Sequence, residues 1–320
     1  MSDRQFLASH VEIADVTISV FRLNAGLMAE FKAFKAKYGT TLATGDIDGD
    51  WIEEVVVGYC TGKQDEEAHG RDPSYGMVKI YKYTSGQLTD TGIVLRPYQK
   101  EGYESAPNIA LADVDGDGVP ELVTAPGPDP NALAKIKVFK IDTREGVGRW
   151  KIASQLAEFV VDFGEKGRHE GGVEFNKDKD GNSRYGANIA AGDIDGDGRA
   201  EIIVGAGPDP TNTSVIKVYR GDGTFTGIQF TVFPDQHSNH GEKESDHETE
   251  SHYRYGVYVA AGDIDEDGIS EIIAGTGPDP KNNGWVRIFI GDGTPMGNGF
   301  LAYPEEIKYG VRLSGINVVR

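Results

Sequence analysis

Four times in this chain three aspartates stand at alternate positions, and a glutamate follows four residues after the third. The copies read GDIDGDWIEEVVVG from Gly45, ADVDGDGVPELVTAPGPDP from Ala112, GDIDGDGRAEIIVGAGPDP from Gly192 and GDIDEDGISEIIAGTGPDP from Gly262. Their first aspartates are 67, 80 and 70 residues apart. A Tyr-Gly pair stands eight residues before three of them, at Tyr38-Gly39, Tyr185-Gly186 and Tyr255-Gly256; the second copy has Ser105-Ala106 there. Chance does not keep four acidic positions in register four times, so the chain is a repeat protein.

The rest of each repeat has the period of strands. A short apolar run such as ANIAAG precedes the acidic loop, and one such as EIIVGAG follows it. Alternating segments come next: VKIYKY from Val78, IKVFKI from Ile136, IKVYRG from Ile216 and VRIFIG from Val286. A period of two belongs to a half-buried strand. A tight turn leads to a fourth run, as in FTGIQFTVFP, and four short strands per unit describe a propeller blade. No stretch reads as a long amphipathic helix; LMAEFKAFKAKYG aligns better as a fourth strand.

The prediction is an all-β, five-bladed β-propeller with four-stranded antiparallel blades, forming one domain over residues 1–320. Four blades cover about 38–99, 105–164, 185–234 and 255–304. The fifth combines 5–36, where ISVFRLNAGLMAEFKAF matches third and fourth strands, with 306–320. There YGVRLSGIN matches a first strand, with Asn317 in the place of the leading Asp. The C-terminal strand would join the N-terminal strands and close the ring, removing two sheet edges. The rival reading is a fragment of a seven-bladed ring.

Counted from its first aspartate, the loop is D-x-D-x-D-G-x-x-E. Carboxylates at positions one, three, five and nine, with a backbone carbonyl at seven, form a hard oxygen set suited to Ca²⁺. Gly at position six permits the positive φ needed to wrap an ion. An EF-hand is excluded: its bidentate Glu would fall where this chain has Val57, Thr124, Val204 and Ala274, and both flanks are strands rather than helices. Without a cation, converging carboxylates would repel one another. The ion's expected role is structural, as four of them would reduce the formal charge from −19 to −11.

The Tyr-Gly pair, acidic loop and Gly-Ala-Gly-Pro together resemble the FG-GAP repeat of integrin α-subunit propellers and related, VCBS-like bacterial repeats. The resemblance covers nearly the whole chain. It implies that Asp193, Asp195, Asp197 and Glu201 bind Ca²⁺ by side chain and Arg199 by its carbonyl. The same roles fall to Asp46, Asp48, Asp50, Ile52 and Glu54; to Asp113, Asp115, Asp117, Val119 and Glu121; and to Asp263, Asp265, Asp267, Ile269 and Glu271. The chain departs from the family in carrying Tyr or Ser for the usual Phe, and five blades where the integrin ring has seven. The site at Asp46–Glu54 is expected to be weakest, because Trp51 replaces the Gly at position six.

In a propeller the loops joining strands one and two share one face. Those joining two to three, and blade to blade, share the other. The long insertions 61–75, 164–184 and 235–254 and the GPDP turns belong to the second face, where recognition is expected. The loop 235–254 holds His237, His240, His247 and His252; a solvated acidic loop is preferred there over a zinc or nickel site. Asp178, Asp180 and Asn182 mimic a calcium loop, but position nine is Gly186. The GPDP prolines are read as fixing turns, with ligand contact by Asp129, Asp209 or Asp279 as the alternative. Asn212-Thr213-Ser214 is a formal glycosylation sequon.

The net charge of −19 argues against nucleic acid. No apolar run reaches 18 residues, so no membrane insertion is expected, and MSDRQFLASH shows no signal peptide. Cys60 is the one cysteine, which excludes an intramolecular disulfide. No Ser-His-Asp or Cys-His arrangement can be read, and ANIAAG and VYVAAG offer no carboxylate pair for glycoside hydrolysis. The expected function is a non-catalytic, monomeric binding or adhesion module for protein or carbohydrate. The alternatives are a scaffold domain of a larger surface assembly and a propeller glycosidase or lyase. Family and ion together imply an extracellular, cell-surface or periplasmic place.

Overall fold

A computed structural model describes residues 5–11, 16–22, 27–34, 40–60, 75–84, 87–163, 184–234 and 253–313, with side chains from Thr40 onward. All its regular elements are strands. The first blade is β4 (Thr40–Gly45), β5 (Glu54–Tyr59), β6 (Met77–Thr84) and β7 (Gln87–Leu95). The second is β8 (Asn108–Ala112), β9 (Glu121–Ala125), β10 (Lys135–Asp142) and β11 (Lys151–Val160). The third is β12 (Ala187–Gly192), β13 (Glu201–Ala206), β14 (Val215–Tyr219) and β15 (Phe225–Thr231). The fourth is β16 (Val257–Gly262), β17 (Glu271–Thr276), β18 (Trp285–Phe289) and β19 (Phe300–Leu301). Each sheet is an antiparallel meander in sequence order.

Burial follows the pattern of the residues. The second strands, EVVVGY and EIIVGA, are apolar runs buried at every position, with neighbouring blades on both faces. The fourth strand FTGIQFT alternates between exposed and half-buried, as an outer strand must. The cores lie between blades. One joins Val56, Ile80, Leu111 and Leu122, the next Val138, Ile189 and Val204, the third Ile203, Val218, Val259 and Ile272.

First strands stand side by side and are tied by side chains. Thr41 Oγ1 donates to Pro107 O (2.6 Å), Asn108 Nδ2 to Ala187 O (2.7 Å) and Asn188 Nδ2 to Val257 O (2.8 Å). In the first three blades one polar residue at or next to the start of the first strand thus satisfies a carbonyl of the next blade.

Two expectations need correction: among the described residues four blades are complete rather than five, and no ring is closed. The N-terminal sheet has three strands, β1 (Gln5–Val11), β2 (Val16–Arg22) and β3 (Leu27–Phe34), paired in that order. The predicted hairpin is β2–β3, and β1 lies within the residues 5–36 assigned to that blade. The chain does begin another blade after the fourth. Tyr309 and Gly310 have φ of 75° and 70°, and Val311 N–H donates to Thr276 O (3.1 Å), as Ala187 N–H does to Pro126 O. The described residues stop three positions into that run, and they show no ladder between it and β1. Asn317 lies outside them.

Candidate metal centres

Each acidic loop joins a first strand to a second. The first aspartate caps its own loop: Asp46 Oδ1 accepts the N–H groups of Gly49 (2.8 Å) and Asp50 (3.1 Å), and Oδ2 that of Trp51 (2.9 Å). Asp193 accepts from Gly196 and Gly198 in the same way. The fifth-position aspartates accept from position seven, as Ile52 N–H to Asp50, Val119 to Asp117, Arg199 to Asp197 and Ile269 to Asp267. The ninth-position glutamates, all buried, turn one oxygen onto the backbone N–H of position two: Ile47, Val114, Ile194 and Ile264.

Such turning requires left-handed backbone. Position six has φ of 87°, 86° and 95° at Gly118, Gly198 and Gly268, and Trp51 is held at 68° in the first loop. Position four is left-handed too, at Gly49, Gly116 and Gly196, and there Glu266 takes the strain in the fourth loop at 66°.

The result is a convergence of carboxylates. One oxygen from each of Asp46, Asp48 and Asp50 lies within 4.8 Å of the others. The same holds for Asp113, Asp115 and Glu121; for Asp193, Asp195 and Asp197; and for Asp263, Asp265 and Glu271. Burial first, then neighbouring aspartates, push the carboxyls of Glu121 and Glu201 up to about 7. Burial does the same to Glu54, also to about 7, and raises Glu271. Among the described residues the buried oxygens Asp48 Oδ1 and Asp263 Oδ1 have no hydrogen-bond partner, and Glu121 Oε1 has only the Lys140 ammonium 3.5 Å away. Orphaned hard acceptors around a shared point fit a divalent cation.

The loops also bond to one another. Ala200 N–H, at position eight of the third loop, donates to Asp113 O (2.8 Å), and Ser270 N–H, at position eight of the fourth, to Asp193 O (2.7 Å). In the second loop that position is Pro120, which has no N–H. On the same face the turn after β18 lies so close that a Cβ on Gly291 would sit 1.9 Å from Ile194 O.

On the other face the GPDP aspartates fix their own turns, a role the sequence reading gave to the prolines. Asp129, Asp209 and Asp279 accept the N–H groups of Asn131, Thr211 and Lys281 (2.8, 2.7 and 2.8 Å), and Asp209 and Asp279 are buried. Asn212 is 3% exposed and donates to Gly207 O, so the sequon is inaccessible in the folded chain. A cavity of about 350 Å³ beside the last such turn is lined by Tyr253, Lys281, Asn283 and Lys308. The histidines of 235–254, and Asp178, Asp180 and Asn182, lie outside the described residues.

Family models match twice, an FG-GAP-like repeat over residues 46–124 and an FG-GAP repeat over 185–219. The chain carries FG-GAP repeats. Among curated proteins it is 29% identical to Integrin alpha pat-2 of Caenorhabditis elegans, over 52% of this chain and 12% of that protein. It is 28% identical to Integrin alpha pat-2 of Caenorhabditis briggsae, over 74% and 18%. The alignments therefore span less than a fifth of these integrins' own length. Among solved structures it is similar to a Bacillus licheniformis rhamnogalacturonan lyase PL11, at TM-score 0.43 and 16% identity, over 90% of this chain and 44% of that one. The Dos1 propeller matches at TM-score 0.37 and 9% identity, over 89% and 67%. No helix among the described residues is long and apolar enough to cross a membrane.

Two features of the FG-GAP repeats escaped the sequence reading. The side chains that tie first strands together sit in runs read as plain apolar, such as ANIAAG. Lysines on third strands were read as one face of an alternating strand, yet Lys82 and Lys140 reach into the first two loops. Their pairing leaves a mark on the aspartates. Hydrogen bonding from Lys140 holds Asp117 low. At Asp50 burial opposes ionisation, but the Lys82 bond helps outweigh it.

Proposed function

We propose that this chain is a non-catalytic, calcium-stabilised binding module whose acidic loops hold Ca²⁺ and whose opposite face takes a protein or carbohydrate ligand. The observation that carries the metal assignment is the convergence of carboxylates in each loop, with the buried oxygens Asp48 Oδ1 and Asp263 Oδ1 left without a hydrogen-bond partner among the described residues. The side chains of positions one, three, five and nine would hold the ion, with the position-seven carbonyls of Ile52, Val119, Arg199 and Ile269. The ion supplies positive charge that lets each acid-dense turn stay closed.

The ligand reading rests on loop placement. The sequence assigns the long connections to the face opposite the acidic loops, the face of the GPDP turns and the lysine-lined cavity, and varied loops on a rigid frame are where recognition concentrates. The integrin relatives favour adhesion and an extracellular or surface location, where calcium is abundant, and the module acts as a monomer without nucleic acid or membrane insertion. A scaffold role within a larger assembly is the second reading.

A chelator should lower the melting temperature by many degrees, and excess calcium should restore it. An unchanged melting curve would reject the metal role. A glycan array probed with calcium present separates the ligand classes: reproducible hits select carbohydrate, and silence shifts weight to a protein ligand or the scaffold.

A further inference from the structure

The residue across the sheet from each ninth-position glutamate changes from blade to blade. Register pairs Val55 with Tyr81, Leu122 with Phe139, Ile202 with Tyr219 and Ile272 with Phe289. One step further along, the glutamates Glu54, Glu121, Glu201 and Glu271 therefore come opposite Lys82, Lys140, Arg220 and Ile290. Lys82 Nζ lies 2.5 Å from Asp48 Oδ2, 2.7 Å from Asp50 Oδ2 and 3.4 Å from Glu54 Oε1. Lys140 Nζ repeats this with Asp115 (2.7 Å), Asp117 (2.5 Å) and Glu121 (3.5 Å).

In the first two blades an ammonium thus bridges the carboxylates that a metal would bridge. The Lys82 stem is well covered, with its charge 5.9 Å from the Trp150 ring centre. In the third blade Arg220 is exposed, and among the described residues no ion pair joins it to its loop. In the fourth blade Ile290 carries no charge and is 41% exposed. The acids at positions one, three, five and nine recur in all four loops, with Glu53 and Glu266 extra in the first and fourth; among the described residues a lysine reaches into only the first two.

We infer that the loops of blades three and four are the tight calcium sites, while the loops of blades one and two are neutralised in part by the chain's own lysines. The inference rests on the calcium reading above. For Ca²⁺ to enter the first two loops it must break several charge-assisted hydrogen bonds and push a like charge aside. Losses of that kind weaken binding by at least about a hundredfold relative to the other two.

Isothermal titration of the metal-free full chain with calcium chloride alone tests this. Two tight ions are expected. Lys82→Met and Lys140→Met should each raise the count to three, and the double variant to four. Ile290→Lys, at an exposed position that tolerates the change, should lower it to one and keeps the test alive if a methionine variant fails to fold. Four ions of like affinity in the unaltered chain would overturn the inference, as would a count that none of these substitutions moves. No calcium bound by any form would instead reject the calcium reading itself.

Discussion

Replacing Glu201 by glutamine should stabilise the metal-free protein and weaken the metal-bound one. Glu201 is 3% exposed, its Oε2 takes the Ile194 N–H at 3.2 Å, and among the described residues no basic side chain pairs with it. Its carboxyl is raised from 4.5 to about 7, first by burial and then by Asp195, Asp197 and Asp193. A folded-state pKa above the unfolded one means that the folded form holds the proton more tightly. Its contribution is therefore full below about pH 4.5 and lost as pH rises through about 7, a difference of roughly 3 kcal/mol above that pH. Glutamine keeps the shape and an acceptor for Ile194, and it offers an amide donor to the facing aspartates. In chelator at about pH 8, E201Q should exceed the unaltered protein by about 1–3 kcal/mol in urea unfolding, and the two should converge toward about pH 4.5. With calcium the order reverses, because an ion ligand has gone. If E201Q is the less stable protein in chelator at about pH 8, the reasoning fails. It fails too if the unaltered protein is equally stable across that range.

At Trp51 (83% exposed, φ 68°) glycine relieves left-handed strain that alanine keeps, so Trp51→Gly should be more stable than Trp51→Ala by about 1 kcal/mol in chemical unfolding. Asn188→Ala leaves Val257 O without its side-chain donor and should cost about 1–2 kcal/mol by the same assay. Gly291→Ala drives a methyl group into Ile194 O and should destabilise by about 1–3 kcal/mol or more, read as a lowered melting temperature. An unaffected Gly291→Ala would mean that the turn stands further from the third blade's loop than described.

Most of the frame could be read in the residues, because each repeat states its strands twice. The apolar run after each loop set the second strand, and Gly at position six set its left-handed turn, with Trp51 rightly singled out as the strained member. The stretch LMAEFKAF was read as a strand against its helix-forming composition, and β3 is one. What stayed hidden needed three dimensions. Asn108 and Asn188 look like incidental polar residues until the next blade's carbonyls stand beside them. Lys82 and Lys140 read as a strand's polar face, since only register reveals that they reach the acidic loops. Counting blades from two partial ends failed because a matching fragment says which strand it resembles, not which strand it pairs with. Glu266 stayed hidden for a different reason: position four, like position six, turns left-handed, and only the backbone shows that it does.

Pro120 breaks a pattern that its neighbours keep. From the second loop to the fourth, a peptide N–H of each blade grips the leading aspartate of the blade before; at the first loop that grip is missing for want of one hydrogen atom. A tug on one end of the molecule would then not be shared evenly around the acidic face. Blades two to four would resist as a single laced panel, and the tear would start at the seam beside blade one.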